Sequence, residues 1–357
     1  MNPSLGKFSF SDVAIAAAVL ALGAALGLWI FTKPVKVEPP KGQPSKAIAT
    51  YSACSGGNPG SLAFDGRHIW VTCNGTNEIQ EFNTSDGSRI ASVTQLFADS
   101  QYHGLILSRI LYDGAHIWVS ASNKSDLGAV VRINLNALTA TAKNSVSCAS
   151  MGPAGCTYFM TGSGASGLAF DGANIWVANS GSDNLTRIAS DGSTTTLTPN
   201  TECIYPVFPV FDGANLWVPC RRSDSVQVWQ LIGGSQQTVL TAAGIEGPTS
   251  LATDGANMWV ASEGGTVNLI SRASPFTISP AFTLPSSTSG GLAFDGKYMW
   301  VADYSHDQVT KLLPAAKPSS VPTVVETYLA GSSPESPVFD GQNIWVANSG
   351  SNTLSKF

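Results

Sequence analysis

The chain has 357 residues, of which 12% are charged and 43% are hydrophobic, a composition too apolar for a disordered protein. The first 46 residues hold five of the 19 basic and two of the 24 acidic residues, so the remainder carries 14 basic against 22 acidic side chains. This negative remainder repels nucleic-acid phosphates, which argues against nucleic acid as a partner.

The N-terminal part of the chain predicts membrane attachment. A tail of residues 1–12 precedes residues 13–31, which are uncharged and nearly all apolar. A helix needs about 20 such residues to span a bilayer core, so we expect a transmembrane anchor at 13–31. A cleavable signal segment is the alternative, because the Ala-Leu-Gly triplets at 21–23 and 25–27 resemble cleavage sites. Residues 32–46 are rich in Pro and Lys and predict a semi-extended linker, or stalk.

Residues 47–357 repeat one phrase seven times. "LAFDGRHIWVT" begins at Leu62, and related phrases begin at Ile110, Leu168, Pro209, Leu251, Leu292 and Pro337. Two apolar runs flank Asp-Gly in each phrase, which predicts a β-hairpin. Repeats of about 40–50 residues with several short strands are typical of propeller blades. The sequence therefore predicts an all-β, seven-bladed β-propeller of four-stranded blades.

Two residues, an Asp and a Trp, recur in every copy of the phrase, and each has an expected role. The Asp is expected to hydrogen-bond its own backbone in the turn, and the Trp to pack between neighbouring sheets. After Trp345 only one strand-like run remains, so the seventh blade lacks a fourth strand. Residues 47–53 resemble the strand that leads into the last blade, and we predict that they complete it and close the ring.

Six cysteines fall into three local pairs. Two pairs hold equivalent places in blades 1 and 4, and the third closes a short loop expected between blades 2 and 3: Cys54–Cys73, Cys203–Cys220 and Cys148–Cys156. This placement favours disulfides outside the cytoplasm. Four lysines that follow residue 31 would, by the positive-inside rule, favour the opposite orientation. We give the cysteines more weight and expect a membrane-anchored extracytoplasmic head, or a secreted one after cleavage. No metal site or cofactor is expected, because Cys-x-x-Cys is absent and His is scarce.

The segments "IWVANSGSDNLTRI" after Asn174 and "IWVANSGSNTLSKF" after Asn343 resemble NHL and YVTN-type propeller repeats, and the resemblance covers about residues 47–357. It implies secreted or cell-surface binding proteins, with a few enzymes. Streptogramin lyases are similar in their seven-blade plan, and that resemblance implies a His and acidic residues around a bound magnesium. Here His68 and His116 occupy the turn position of Asn174, so no match to the lyase site can be carried over.

The turns from second to third strand depart most from the repeat. They share one face with the inter-blade loops, around the channel mouth, and most carry Asn, Ser and Gly. The departures occur in blades 4, 5 and 6: Arg221, Arg222, Glu263, Asp303, Tyr304 and His306. With the loop 148–156 expected to overhang this face, these residues form a candidate recognition site. An ordinary solvated surface is the alternative.

Three functions remain open at this point. The first is a surface-displayed or exported binding or scaffold module that uses the loop face to bind a protein, a glycan or another copy of itself. The second is an extracytoplasmic lyase or hydrolase at the channel mouth, with His306, Asp303 and Glu263 as acid–base groups. The third is a structural component of an envelope or appendage assembly.

Overall fold

Each repeated phrase folds into a β-hairpin, with the apolar run before Asp-Gly as its first strand and the Trp-containing run as its second. In the third repeat, for example, Leu168 pairs with Val177 and Ala169 pairs with Trp176. The Gly of the turn has a φ between +93° and +99° in all seven copies. Glycine is required there because other residues adopt this conformation only with strain.

Seven sheets, each with four antiparallel strands, follow one another along the chain, as predicted, and those of blades 1, 5 and 6 also pair with a short parallel segment. The computed structural model describes residues 35–36, 44–97, 102, 104–123, 127–141, 145–199, 203–232, 235–273, 276–279, 282–283, 289–315 and 321–357. The strands of blades 1 to 4, in sheet order, are Pro59–Phe64, His68–Cys73, Glu78–Asn83, Arg89–Thr94; Ile106–Tyr112, His116–Ser122, Gly128–Asn134, Cys156–Thr161; Ala165–Phe170, Ile175–Asn179, Asn184–Ile188, Thr194–Leu197; Val210–Phe211, Asn215–Cys220, Ser225–Ile232, Ser235–Ala243. The strands of blades 5 to 7 are Pro248–Thr253, Asn257–Ser262, Thr266–Ser271, Phe282–Thr283; Ser289–Phe294, Met299–Asp303, Gln308–Leu313, Thr323–Leu329; Pro334–Phe339, Ile344–Asn348, Thr353–Lys356, Ala49–Ser52.

The core consists of seven apolar clusters, each between two neighbouring blades. Every cluster contains one repeated tryptophan, and each of these side chains is nearly or fully buried: Trp70, Trp118, Trp176, Trp217, Trp259, Trp300 and Trp345. A large indole suits this place because each sheet is covered on both faces. The predicted packing role of the Trp is confirmed.

The same indole also makes a hydrogen bond that the sequence analysis did not predict. In all seven blades the Trp Nε1–H donates to Oδ2 of the repeated Asp, at 2.7–2.8 Å. Oδ1 of the same carboxylate accepts backbone N–H groups two and three residues later, as between Asp171 and the N–H groups of Ala173 and Asn174. One carboxylate thus fixes both the turn and the orientation of the indole.

The two ends of the propeller meet in blade 7, as predicted. Ala49–Ser52 pairs antiparallel with Thr353–Lys356, and Tyr51 stacks on Trp345 with ring centroids 5.4 Å apart. A Cβ on Gly87 of blade 1 would lie 2.1 Å from the Tyr51 ring, so glycine allows this strand to sit against blade 1. The strand from near the N-terminus therefore contacts both the last blade and the first.

Three disulfides join the predicted cysteine pairs, and they support an extracytoplasmic location for the head. The predicted place of the third one was wrong. Cys148–Cys156 lies within blade 2, between its third and fourth strands, where Leu135–Thr141 and Cys148–Gly155 are helical. Val146–Ser147 pairs in parallel with the fourth strand of blade 1. The loop therefore packs along the outer edges of blades 1 and 2 and does not overhang the channel mouth.

Two short segments of the predicted linker pair with the propeller. Val35–Lys36 lies parallel to the fourth strand of blade 5, and Ser45–Lys46 lies parallel to that of blade 6. The tail 1–12 and the apolar segment 13–31 lie outside the described residues. None of the helices that the structure describes is long and apolar enough to cross a membrane.

Candidate functional site

All six predicted binding residues lie at the end of the sheets opposite the Asp-Gly turns. In an antiparallel sheet, the turn between the second and third strands lies at the opposite end of the sheet from the turn between the first and second strands. Arg221 and Arg222 begin a 3-10 turn, Glu263 follows Ser262 at the end of a strand, and Asp303 ends the second strand of blade 6. The repeat thus places these turns together on one face of the ring.

Three of the six line one cavity at the mouth of the central channel. Arg221, Glu263 and Tyr304 share this cavity of about 270 Å³ with six other residues: Arg109, Phe208, Thr249, Ser250, Gly290 and Glu335. Arg221 and Glu263 form an ion pair across blades 4 and 5. The Tyr304 residue is 46% exposed, so its ring is available at the rim. We call this set of nine residues the mouth cavity.

The other three predicted residues lie outside the mouth cavity. The guanidinium of Arg222 lies 4.2 Å from the centre of the Tyr205 ring. His306 and Asp303 form a pair within one turn, with Nδ1 of the imidazole 3.2 Å from a carboxylate oxygen. The same oxygen accepts the backbone N–H of Ser305 at 3.1 Å. Because Glu263 pairs with Arg221 instead, the proposed acid–base group is divided between two separate pairs.

The channel below the mouth is lined by residues from all seven first strands. One repeat position, four residues before the repeated Asp, recurs around it. The residues there are Ser61, Arg109, Gly167, Phe208, Ser250, Gly291 and Ser336. Five of these are Ser or Gly, so the blades ordinarily present small side chains to the axis. Blades 2 and 4 depart from this pattern.

The two large side chains that break this pattern, Arg109 and Phe208, contact each other. The guanidinium carbon of Arg109 lies 3.7 Å from the centre of the Phe208 ring, a cation–π stack. Burial lowers the pKa of Arg109, and the nearby negative charge of Glu335 opposes that shift. Among the described residues, no hydrogen bond or ion pair employs the guanidinium of Arg109.

Glu335 is a third departure, one position earlier in the repeat. The equivalent residues in blades 5 and 6 are Thr249 and Gly290, which also line the mouth cavity. Burial raises the pKa of Glu335, while the charge of Arg109 and a hydrogen bond with Ser349 act in the opposite direction. The mouth therefore holds a half-buried cation and a half-buried carboxyl group.

Sequence reasoning missed Arg109, Phe208 and Glu335 because they precede the repeated phrase. A bulge of one extra residue interrupts the first strand at this point in six blades, for example between Leu107 and Ile110. Bulges redirect side chains, so strict alternation does not indicate which residues face the channel. The signal that could have identified them is the alignment itself, with large or charged residues where the other copies have small ones.

One group with metal-ligand geometry lies at the opposite end, beside the Asp-Gly turn of blade 1. Ligand atoms of Asp65, His68 and Glu81 all lie within 4.8 Å of one another. Asp65 already accepts the Trp70 indole, and His68 Nδ1 lies 2.8 Å from Glu81 Oε1. Burial raises the pKa of Glu81, and the charge of His68 opposes that shift. These contacts satisfy the three side chains without an ion, and the expectation of no metal stays a prediction.

No family model matches the chain, and no curated protein matches it in sequence. Among solved structures it is similar to a streptogramin B lyase, with a TM-score of 0.66 and 14% identity over 86% of this chain and 96% of the lyase. It is also similar to the WD40 propeller domain of Doa1, with a TM-score of 0.65 and 12% identity over 87% of this chain and 96% of that domain. For the periplasmic gluconolactonase PpgL of Pseudomonas aeruginosa, the TM-score is 0.59 and the identity is 15% over 82% of this chain and 88% of the gluconolactonase. At such identities the likeness shows the β-propeller fold.

Proposed function

We propose that this chain is an extracytoplasmic binding module that captures a protein or glycan partner in the mouth cavity. Residues 13–31 attach it to the membrane, or it is secreted after cleavage. The observation that carries the proposal is the convergence of five blades on one cavity. Blades 2, 4, 5, 6 and 7 supply two arginines, two glutamates and two aromatic rings. Arginine and exposed aromatic residues are the types that dominate binding energy at interfaces.

Binding is better supported than catalysis. Acid–base catalysis requires its groups to reach one substrate, and the three candidate acid–base residues belong to two separate pairs. His306 and Asp303 pair in a turn beside the mouth, whereas Glu263 is held by Arg221. The mouth cavity contains an ion pair, hydroxyl groups and stacked aromatic surface, which are features of recognition.

Site-specific crosslinking tests the location of the site. A photoreactive phenylalanine analogue at Tyr304 on intact cells is expected to trap a partner in a band of defined mass. The same analogue at Lys297, on the Asp-Gly face of the same blade, is the control and is expected to trap none. Equal trapping at both positions would contradict a site at the mouth. A trapped second copy of this chain would identify self-association as the mode of capture.

Neighbouring arginines provide a matched pair for the affinity test. Arg221 lines the mouth cavity, whereas Arg222 lies outside it and stacks on Tyr205. Arg221→Ala is expected to weaken capture of the crosslinked partner about tenfold or more, the usual cost of losing an interface hot spot. Arg222→Ala is expected to change capture less than threefold. The reverse order would move the site from the cavity to the outer rim.

A further inference from the structure

We infer that the mouth cavity binds a carboxylate group of its ligand, with Arg109 as the anion-binding residue. This inference rests on the proposed function and specifies the chemical class of ligand. It depends on the unused hydrogen-bonding capacity of Arg109 and on the charges that surround it.

The geometry leaves the edges of the guanidinium for a ligand. Phe208 stacks against its face at 3.7 Å, and the N–H groups lie in the guanidinium plane. No hydrogen bond among the described residues uses these N–H groups, although Arg109 lines both the channel and the mouth cavity. A planar fork of N–H donors matches the two oxygens of a carboxylate.

A role in packing alone does not account for Arg109. The equivalent residue is Ser or Gly in five other blades, so the channel does not require a large side chain at this position. An apolar residue would stack on Phe208 without the cost of desolvating a charge. Arg109 is half-buried at the channel, and pairing with an anion would use the donors of its guanidinium and offset the cost of partly desolvating its charge.

The surrounding charges favour an anion with a single negative charge. Glu263 is neutralised by Arg221, whereas Glu335 lies in the same cavity as Arg109 and couples to it electrostatically. The second charge of a phosphate or sulfate would be attracted by Arg109 but also repelled by Glu335, so it would gain little while costing more to desolvate than the single charge of a carboxylate. Thr249 and Ser250 add hydroxyl groups beside the anion position. A carboxylate with neighbouring polar groups, as in an acidic sugar or a peptide terminus, fits this environment.

Arginine-selective nitrogen labelling of the full-length protein provides the test. The chain has eight arginines, so the spectrum of their Nε–H groups is simple, and the Arg109 signal is identified by its loss in Arg109→Met. Sodium acetate replaces sodium chloride at constant ionic strength. The Arg109 signal is expected to shift saturably, with a Kd on the order of 1–10 mM for one charge-assisted pair. Inorganic phosphate and sulfate are expected to bind at least threefold more weakly.

Arg132 is the matched control. Its guanidinium also lies near aromatic rings, 5.7 Å from those of Trp118 and Phe159, but it lines neither cavity. Its signal is expected to move linearly and slightly. A linear Arg109 response, or an equal response of Arg132, would overturn the anion site, and tighter binding of phosphate or sulfate than of acetate would overturn the carboxylate assignment.

The outcome separates this inference from the proposed function. If acetate does not bind but Arg221→Ala still weakens partner capture about tenfold or more, the mouth is a binding site without an anion pocket. If acetate binds at Arg109 but no substitution in the mouth cavity affects capture, the anion site is correct and the proposed function is wrong. Arg109→Lys is expected to weaken acetate binding about tenfold, because the ammonium keeps the charge but loses the fork and the stack.

Discussion

At the scale of single residues, one carboxylate organises each blade. The repeated Asp accepts two backbone N–H groups with one oxygen and the Trp indole with the other, and all seven blades share this arrangement. The constant separation of five residues between Asp and Trp was visible in the sequence. That spacing alone did not indicate that the indole N–H would turn back to the carboxylate, because the contact depends on the side-chain rotamer. The turn role was therefore predictable and the indole bond was not.

Replacing one of these carboxylates tests its contribution. Asp171→Asn retains the shape but removes the charge that accepts the indole and two backbone N–H groups. Hydrogen bonds to charged groups contribute about 1.5–3 kcal/mol each, so we expect the free energy of unfolding in urea to fall by about 2 kcal/mol. Asp191, exposed in another Asp-Gly turn of the same blade, is the control, and Asp191→Asn is expected to change stability by less than about 0.5 kcal/mol. Equal effects would contradict the special role of the repeated Asp.

The same carboxylates predict how stability depends on pH. Burial tends to raise the pKa of Asp113, Asp171 and Asp212, but hydrogen bonds outweigh burial, so the pKa of each lies below its ordinary value. Their stabilisation is then present above the pKa of an unfolded Asp, about 4, and is lost as the pH falls through the lower folded value. Urea unfolding between pH 6 and pH 2 should show a steady loss of stability, with a shallower slope for Asp171→Asn. Constant or rising stability in acid would contradict this assignment.

At the scale of elements, equivalent positions in the repeat allowed two of the disulfides to be predicted. Cys54–Cys73 and Cys203–Cys220 each close the first hairpin of a blade, with sequence separations of 19 and 17 residues. Their pairing followed from the antiparallel strands alone. The third bridge was predicted as a pair but misplaced. The interval of 58 residues between Trp118 and Trp176 indicated an insertion, but either of the last two connections of blade 2 or the loop after it could have contained it.

Removing one equivalent bridge tests the hairpin assignment. The double substitution Cys203→Ser with Cys220→Ser is expected to reduce the free energy of unfolding by about 3 kcal/mol, the value for a loop of this length. Addition of reductant to the unaltered protein should reproduce at least this loss. Peptide mapping without reductant is the control and should recover three bridges in the stated pairs. Any other pairing would contradict the strand assignment.

At the scale of the whole molecule, ring closure assembles the candidate site. The mouth cavity draws residues from five blades, so it exists only while the sheets remain in a circle. The sequence predicted the seven blades, the closing strand and the face of the site, because these follow from the repeat. Of the residues that line the mouth cavity, the sequence singled out Arg221, Glu263 and Tyr304 but not Arg109, Phe208 and Glu335, because bulges in the first strands hide which residues face the axis; their role in binding stays a prediction.

Two truncated chains test this closure most directly. A chain of residues 44–357 keeps the strand Ala49–Ser52, whereas a chain of residues 54–357 loses it and the Tyr51–Trp345 stack. Loss of the half-buried Tyr51 ring removes part of the about 3–5 kcal/mol that a fully buried aromatic side chain contributes, and the exposed edge at Thr353–Lys356 favours aggregation. We expect the longer chain to unfold cooperatively as a monomer and the shorter one to be much less stable. A peptide of residues 44–53 should rescue the shorter chain, and equal stability of the two chains without the peptide would contradict the closed ring.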